Sequence, residues 1–200
     1  METDGTIYLV RHGETEWNRE GRMQGHLDSP LTKRGEDQAR RVGGLLAELI
    51  PEPTHRVVTV SPLGRTRSTA AIVCERLGLD PAGCRIDKLL IEITLGKWDG
   101  MTSGEIADAD AETWRLYRND HWNFVPPDGE SYAMMADRAR RWLSATAIAR
   151  SNLIVVSHGA FGRVLRGVYT GLGPEQTLAQ EEPQDSVFRL SGGSIARIEA

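Results

Sequence analysis

A chain of 200 residues, 40% of them hydrophobic, is long enough to bury one core and close to the usual size of a single domain. The formal net charge of −4, with both signs interspersed, offers no basic stripe for duplex nucleic acid, so no nucleic-acid partner is expected. No apolar run approaches the ~18 residues of a membrane span, and no membrane partner is expected.

In chain order, the N-terminus METDGTIYLV is acidic and lacks the basic, long apolar and small-residue regions of a secretory leader. A branched apolar run at 7–10 reads as a strand and stops on Arg11, His12 and Gly13. Helical periodicity covers 33–50. A second branched run at 57–60 leads into SPLGRTR and a helix over 64–78. LLIEITLGKWDG then places Glu92 in an otherwise apolar stretch. Residues 99–128 hold short aromatic-rich helical patterns ending at Pro126 and Pro127, which suggests a lid inserted over the sheet's edge rather than a second domain. Helices over 130–150 and 159–170 flank a strand at 153–156 that ends in SHG. Strands at 185–190 and 194–198, separated by Gly192 and Gly193, read as an antiparallel pair. The alternation predicts an α/β fold, a largely parallel central sheet with helices on both faces, in one domain over 1–200.

Lys33, Lys88 and Lys97 are the only lysines, so arginine carries the positive charge. Arginine is the better bidentate ligand for phosphate, though base composition gives the same bias. Cys74 and Cys84 have neither CxxC spacing nor a crowd of metal-ligating partners, and a reduced, cytoplasmic protein is the simplest inference.

The informative pattern lies just beyond the strand ends. In a parallel sheet the carboxyl ends share one edge, where open α/β folds place ligands. The tips RHG, SPLGRTR and SHG are then expected to bring Arg11, His12, Arg65 and His158 into one cationic pocket. Helices starting after Arg65 and His158 would add amide donors and positive dipole ends. Such a pocket suits a multiply charged anion, phosphate above all. Taken singly, each histidine or arginine has an ordinary structural or surface reading, which Arg67 keeps.

Two rivals are weaker. HExxH, HxH and Cys/His clusters are absent, and Arg11 beside His12 opposes a divalent cation, so no metal or cofactor is expected. Ser157–His158 lacks a GxSxG elbow, and neighbours on a strand point to opposite faces. Cations around the histidines favour a neutral ring with a free lone pair, which makes His12 a candidate nucleophile. His158 and the arginines would stabilise the equatorial oxygens of the transferring group without magnesium. Glu92, its pKa raised by desolvation, is the candidate proton donor. Its alternative is an edge-strand glutamate facing solvent.

With these residues assembled, the sequence resembles the histidine phosphatase superfamily in its phosphoglycerate-mutase-like branch. The resemblance rests on LVRHGETEWN, GRMQGHLDSPLTKRGEDQA, SPLGRTRSTA, EITLGKWDG, DGES and VVSHGAFGRVL in family order. It implies a three-layer α/β/α sandwich around a mostly parallel sheet, a phosphorylated His12, a phosphate pocket completed by Arg11, Arg65 and His158, and Glu92 as donor. It further implies phosphate or substrate contacts from Asn18, Gln24, Gly25 and the Gly159 amide. Asn18 could equally be a helix cap. Ile91, Asp128 and PQDSVF depart from the family pattern.

The phosphohistidine could pass to water, making a phosphatase of small phosphorylated metabolites, or to a retained product, making a mutase. A non-catalytic phospho-ligand binder is the third reading, disfavoured because it needs no nucleophile and acid together. The resemblance implies a substantial basic insertion after the acid in mutases of the glycolytic type, so the short region here favours the phosphatase. Trp114, Tyr117, Arg118 and His121 share a helical face and, with Arg115, are candidate lid and substrate residues. The expected partner is a small-molecule phosphoester, and a homodimer is compatible with the sequence.

Overall fold

The computed structural model describes residues 5–52, 56–146 and 152–200. Strands β1 (Ile7–Arg11), β2 (Val57–Val60), β3 (Arg85–Ile86), β4 (Leu153–Ser157), β5 (Ser186–Ser191) and β6 (Ser194–Glu199) form one sheet in the order β3-β2-β4-β1-β5-β6. β3, β2, β4 and β1 run parallel, while β5 lies antiparallel to β1 and β6 antiparallel to β5. The helices are α1 (Glu16–Glu20), α2 (Lys33–Leu49), α3 (Gly64–Leu77), α4 (Ser103–Ala109), α5 (Ala111–Asn119), α6 (Tyr132–Thr146), α7 (Gly159–Thr170) and α8 (Pro174–Leu178).

Strand alternation divides the core. Tyr8, Val10, Val58, Val60, Ile154 and Val156 face α2 and α3, meeting Val42, Leu46, Val73 and Leu77. Leu9, Leu153 and Val155 face α6 and α7, meeting Met135, Trp142, Phe161 and Leu165. The central strands bury both faces, so they read as unbroken apolar runs rather than alternating ones. Each of these side chains contributes about 1.5–3 kcal/mol on burial, enough to make the sheet register rigid. The expected three-layer α/β/α arrangement is the one observed.

β5 and β6 close at Gly192 and Gly193, both with positive φ, as a two-residue hairpin of the primed type requires. β3 was not anticipated, because two residues carry no period. The expected helix over 130–150 is observed as Tyr132–Thr146: Glu130 and Ser131 precede it as non-helical chain, and positions 147–150 lie outside the described residues, as do residues 1–4 of the acidic N-terminus. α4 and α5, within 99–128, pack against the preceding loop in a cluster of their own, Ile106 and Tyr117 meeting Leu95 and Trp98, with Trp98 edge-on to Tyr117 at 5.5 Å. Among the described residues no helix is long and apolar enough to cross a membrane.

Candidate active site

The sheet register assembles the site. Arg11 stands opposite Ser157, and Val60 opposite Val156. Pairing runs one residue past the strands: the His12 amide donates to the Ser157 carbonyl at 3.0 Å and the Ser61 amide to the Val156 carbonyl at 3.1 Å. His12, Ser61 and His158 therefore sit side by side at the carboxyl edge, the two imidazoles edge to face with centroids 5.4 Å apart. Gly13 lets the chain turn here because a Cβ would lie 2.2 Å from the Gly35 carbonyl oxygen of α2.

A carbonyl only accepts, so the 2.8 Å contact from His12 Nδ1 to the Gly13 oxygen puts the proton on Nδ1 and the lone pair on Nε2. Burial, then the charges of Arg11 and Arg65, hold His12 well below the usual imidazole range. His158 is depressed too, by burial, Arg65 and His12. Its Nε2 meets the Ser61 hydroxyl at 2.7 Å, and its Nδ1 is buried without a partner.

Arg65 is locked from behind. Its Nη1 donates to the Leu27 carbonyl at 2.6 Å and to Asp28 Oδ1 at 3.0 Å, and its Nη2 to the Gly25 carbonyl at 2.8 Å. Asp28 also accepts the Gly64 amide at 2.7 Å, capping α3, whose own N-cap residue Leu63 has no side chain for the task. The Nε atoms of Arg11 and Arg65 are buried and unpartnered, and such orphaned donors suit a bound anion. Gly25 has φ +51°, and a Cβ there would fall 1.8 Å from Asp99 Oδ1. Asp99 accepts from the His26 and Leu95 amides and from the Thr94 hydroxyl, tying the loop at 24–26 to that at 94–99.

Glu92 lies on a loop, not an edge strand, and faces the cavity. Oε1 accepts the Ile93 and Phe161 amides, both at 2.9 Å, and Oε2 the Ala160 amide at 3.2 Å. The first-turn donors of α7 are thus partly taken by the carboxylate. Gly159, which opens α7, lines a small void behind Arg11 together with His158 and Glu182. Burial, then the negative charge of Glu182, raises the Glu92 carboxyl above 4.5, against the pull of these amides and Arg65. Arg138 fixes the loop, donating to the Leu89 and Ile91 carbonyls at 2.8 and 2.6 Å while its other donors reach Glu130.

A cavity of about 360 Å³ opens over these groups, lined by Arg11, His12, Asn18, Gln24, Gly25, Arg65 and Glu92. A second cavity of similar size, bordered by Val60, Arg67, Cys84 and Ile86, lies beside β3 and holds no convergent acid and base, so the chemistry belongs to the first. Asn18 does cap α1: its Oδ1 accepts from the Thr15 amide at 3.2 Å and from Gln184 at 3.1 Å, which leaves its NH₂ for the cavity. Gln24 Oε1 is buried without a partner. Arg115 and Arg118 are exposed and do not line the cavity, contrary to expectation. The buried stripe of α5 centres on Tyr117, and Arg118, one residue on, is turned about 100° away from it. Tyr117 and His121 do reach the cavity, joined at 2.6 Å.

Arg163, Tyr132 and Glu182 complete the outer wall and were not singled out from sequence. Arg163 lies one helical turn beyond Gly159, a spacing that could have signalled it. Glu182 and Asp28 carry no local signal, because what they touch is distant in the chain. Among the described residues no group of three or more His, Cys, Asp or Glu side chains is set to hold a metal ion.

An α/β sheet whose carboxyl edge gathers two neutral imidazoles, two buried guanidiniums and an acid of raised pKa defines an enzyme with an anion pocket. The profile of the histidine phosphatase superfamily (branch 1) matches residues 7–193, and the chain belongs to this superfamily. It is 40% identical over 171 residues to a probable phosphoglycerate mutase of Erwinia tasmaniensis, covering 83% of this chain and 75% of that protein. The alpha-ribazole phosphatase of Shigella flexneri superposes with a TM-score of 0.82 at 25% identity, over 97% of this chain and 95% of its own. A mycobacterial glucosyl-3-phosphoglycerate phosphatase complexed with VO₃ superposes with a TM-score of 0.79 at 28% identity, over 98% and 97%. The chain is thus an enzyme of the phosphatase or mutase-type phosphoryl-transfer class.

Proposed function

We propose that the protein is a metal-independent phosphomonoesterase acting on a small phosphorylated metabolite through a phosphohistidine at His12. The observation that carries this reading is the His12 tautomer: Nδ1–H is held by the Gly13 carbonyl, so Nε2 offers its lone pair to the anion pocket. Nε2 attacks phosphorus as the ester P–O bond breaks, and protonated Glu92 gives its proton to the departing alkoxide. Glu92, now ionised, takes a proton from water, whose oxygen attacks the phosphohistidine. The P–N bond breaks, inorganic phosphate leaves and both side chains are restored. Arg11, Arg65, His158 and the Asn18 amide stabilise the charge on the equatorial oxygens. Residues 99–128 act as a lid through Tyr117 and His121.

Hydrolysis of 4-nitrophenyl phosphate in chelator tests the reading: wild type turns over, His12→Ala loses at least about a thousandfold in kcat/KM, and acid-quenched protein carries an acid-labile phosphate on His12. No difference between the two proteins would sink it. The 40% identity to a probable phosphoglycerate mutase favours a mutase as the second reading. Rapid interconversion of phosphoglycerates with a bisphosphate primer, without phosphate release, would replace the first with the second.

A further inference from the structure

We infer that the site selects phosphomonoesters of uncharged alcohols over those bearing a second anionic group, with Glu182 as the specificity-determining residue. The inference rests on the phosphatase reading and concerns the end of the substrate that does not react.

Arg11 and Arg65 serve the phosphate, so a carboxylate or second phosphate on the substrate would have to find its cation on the outer wall. Arg22 and Arg163 are the arginines there. Arg22 is held by Glu20 at 3.0 Å and by both oxygens of Glu105 at 2.7 and 3.1 Å. Arg163 donates to the Leu178 carbonyl at 3.0 Å and the Tyr132 hydroxyl at 2.9 Å, and its Nε, which has no hydrogen-bond partner, lies 3.2 Å from Glu182 Oε1 as an ion pair without hydrogen-bond geometry, so its charge is offset by this carboxylate. Three carboxylates therefore face two cations. His121 adds no charge, because burial and Arg163 hold it below the usual imidazole range. Arg115 and Arg118 lie outside the cavity.

Glu182 is also fixed where it matters. Its carbonyl accepts from Arg11 Nη1, and its carboxylate lines the cavity close enough to Glu92 and Arg11 to influence both. A second anion on the substrate would approach this carboxylate and meet repulsion. The remaining walls, Tyr117, Tyr132, Ile93 and Leu95, offer ring faces and apolar surface to a neutral alcohol, and hydroxyls of that alcohol could donate to Glu182.

The matched pair sn-glycerol 3-phosphate and 3-phosphoglycerate differs only in a hydroxymethyl group against a carboxylate. For wild type, kcat/KM is expected to favour glycerol 3-phosphate by about tenfold, the scale of like-charge repulsion in a half-exposed cleft. Glu182→Gln should collapse that ratio towards one, with far-UV circular dichroism and the urea unfolding midpoint reporting that the variant is folded. A wild-type preference for 3-phosphoglycerate, or a ratio unchanged in Glu182→Gln, overturns the inference. If the variant is too unstable to assay, the wild-type ratio decides: near one or reversed, it overturns the inference. Loss of phosphate release from both esters in His12→Ala reports on the phosphatase reading separately, so the two failures are distinguishable.

Discussion

At the sheet edge beneath the cavity, which His12 lines, His12, Ser61 and His158 each continue one of three adjacent parallel strands. At the outer end Tyr117, Tyr132 and Arg163 come from α5, α6 and α7, and Glu182 from the loop before β5. The inner groups inherit their spacing from the ladder, since Arg11 opposite Ser157 and Val60 opposite Val156 leave each tip little freedom. The outer groups meet only through side-chain contacts, such as Arg163 with Tyr132 and Tyr117 with His121. A site whose chemistry is tied to sheet register and whose specificity hangs on loops and short helices can change substrate without losing its reaction.

The comparison is broken most sharply at the inner end. Glu92→Gln keeps the shape but removes the proton, and should lower kcat/KM for an alkyl phosphate by about a hundred- to a thousandfold, and less for 4-nitrophenyl phosphate, whose leaving group needs little protonation. The pH profile carries the sign. His12, depressed, must be neutral, so activity rises with pH through its pKa; Glu92, raised above 4.5, must be protonated, so activity falls as pH rises through its pKa. The alkaline limb should vanish in Glu92→Gln. An unchanged profile would remove Glu92 from the reaction.

Gly25→Ala tests the seam between the two ends. A methyl group at positive φ, 1.8 Å from Asp99 Oδ1, must displace the loop whose carbonyl holds Arg65. The expected loss is about 1–3 kcal/mol of stability by urea titration, together with a raised KM for every phosphoester. Normal stability and KM would show that the loop is not needed to hold Arg65.

The smallest effect belongs outside. Arg115→Ala and Arg118→Ala, singly or together, should leave kcat and KM within about twofold, as exposed side chains away from the cavity do. A larger rise in KM for one substrate would extend the outer wall along α5.

RHG, SPLGRTR and SHG after branched apolar runs determined the inner site in the sequence itself, because strand ends in a parallel sheet share an edge whatever the loops do. Glu92 was legible as an acid in an apolar stretch, though not as a side chain held by the first amides of α7. Helical period alone misjudged α5: Arg118 shares a broad face with Tyr117 and His121, but which part of that face is buried depends on Trp98 and Leu95 packed beneath it. Asp28 behind Arg65 and Glu182 across from Arg163 were invisible for the same reason, since no local rule fixes which distant loop a side chain will meet. Backbone hydrogen bonding repeats with a period and can be read from the chain; loop contacts depend on how the packed elements bring separate segments together, and only the tertiary structure decided them.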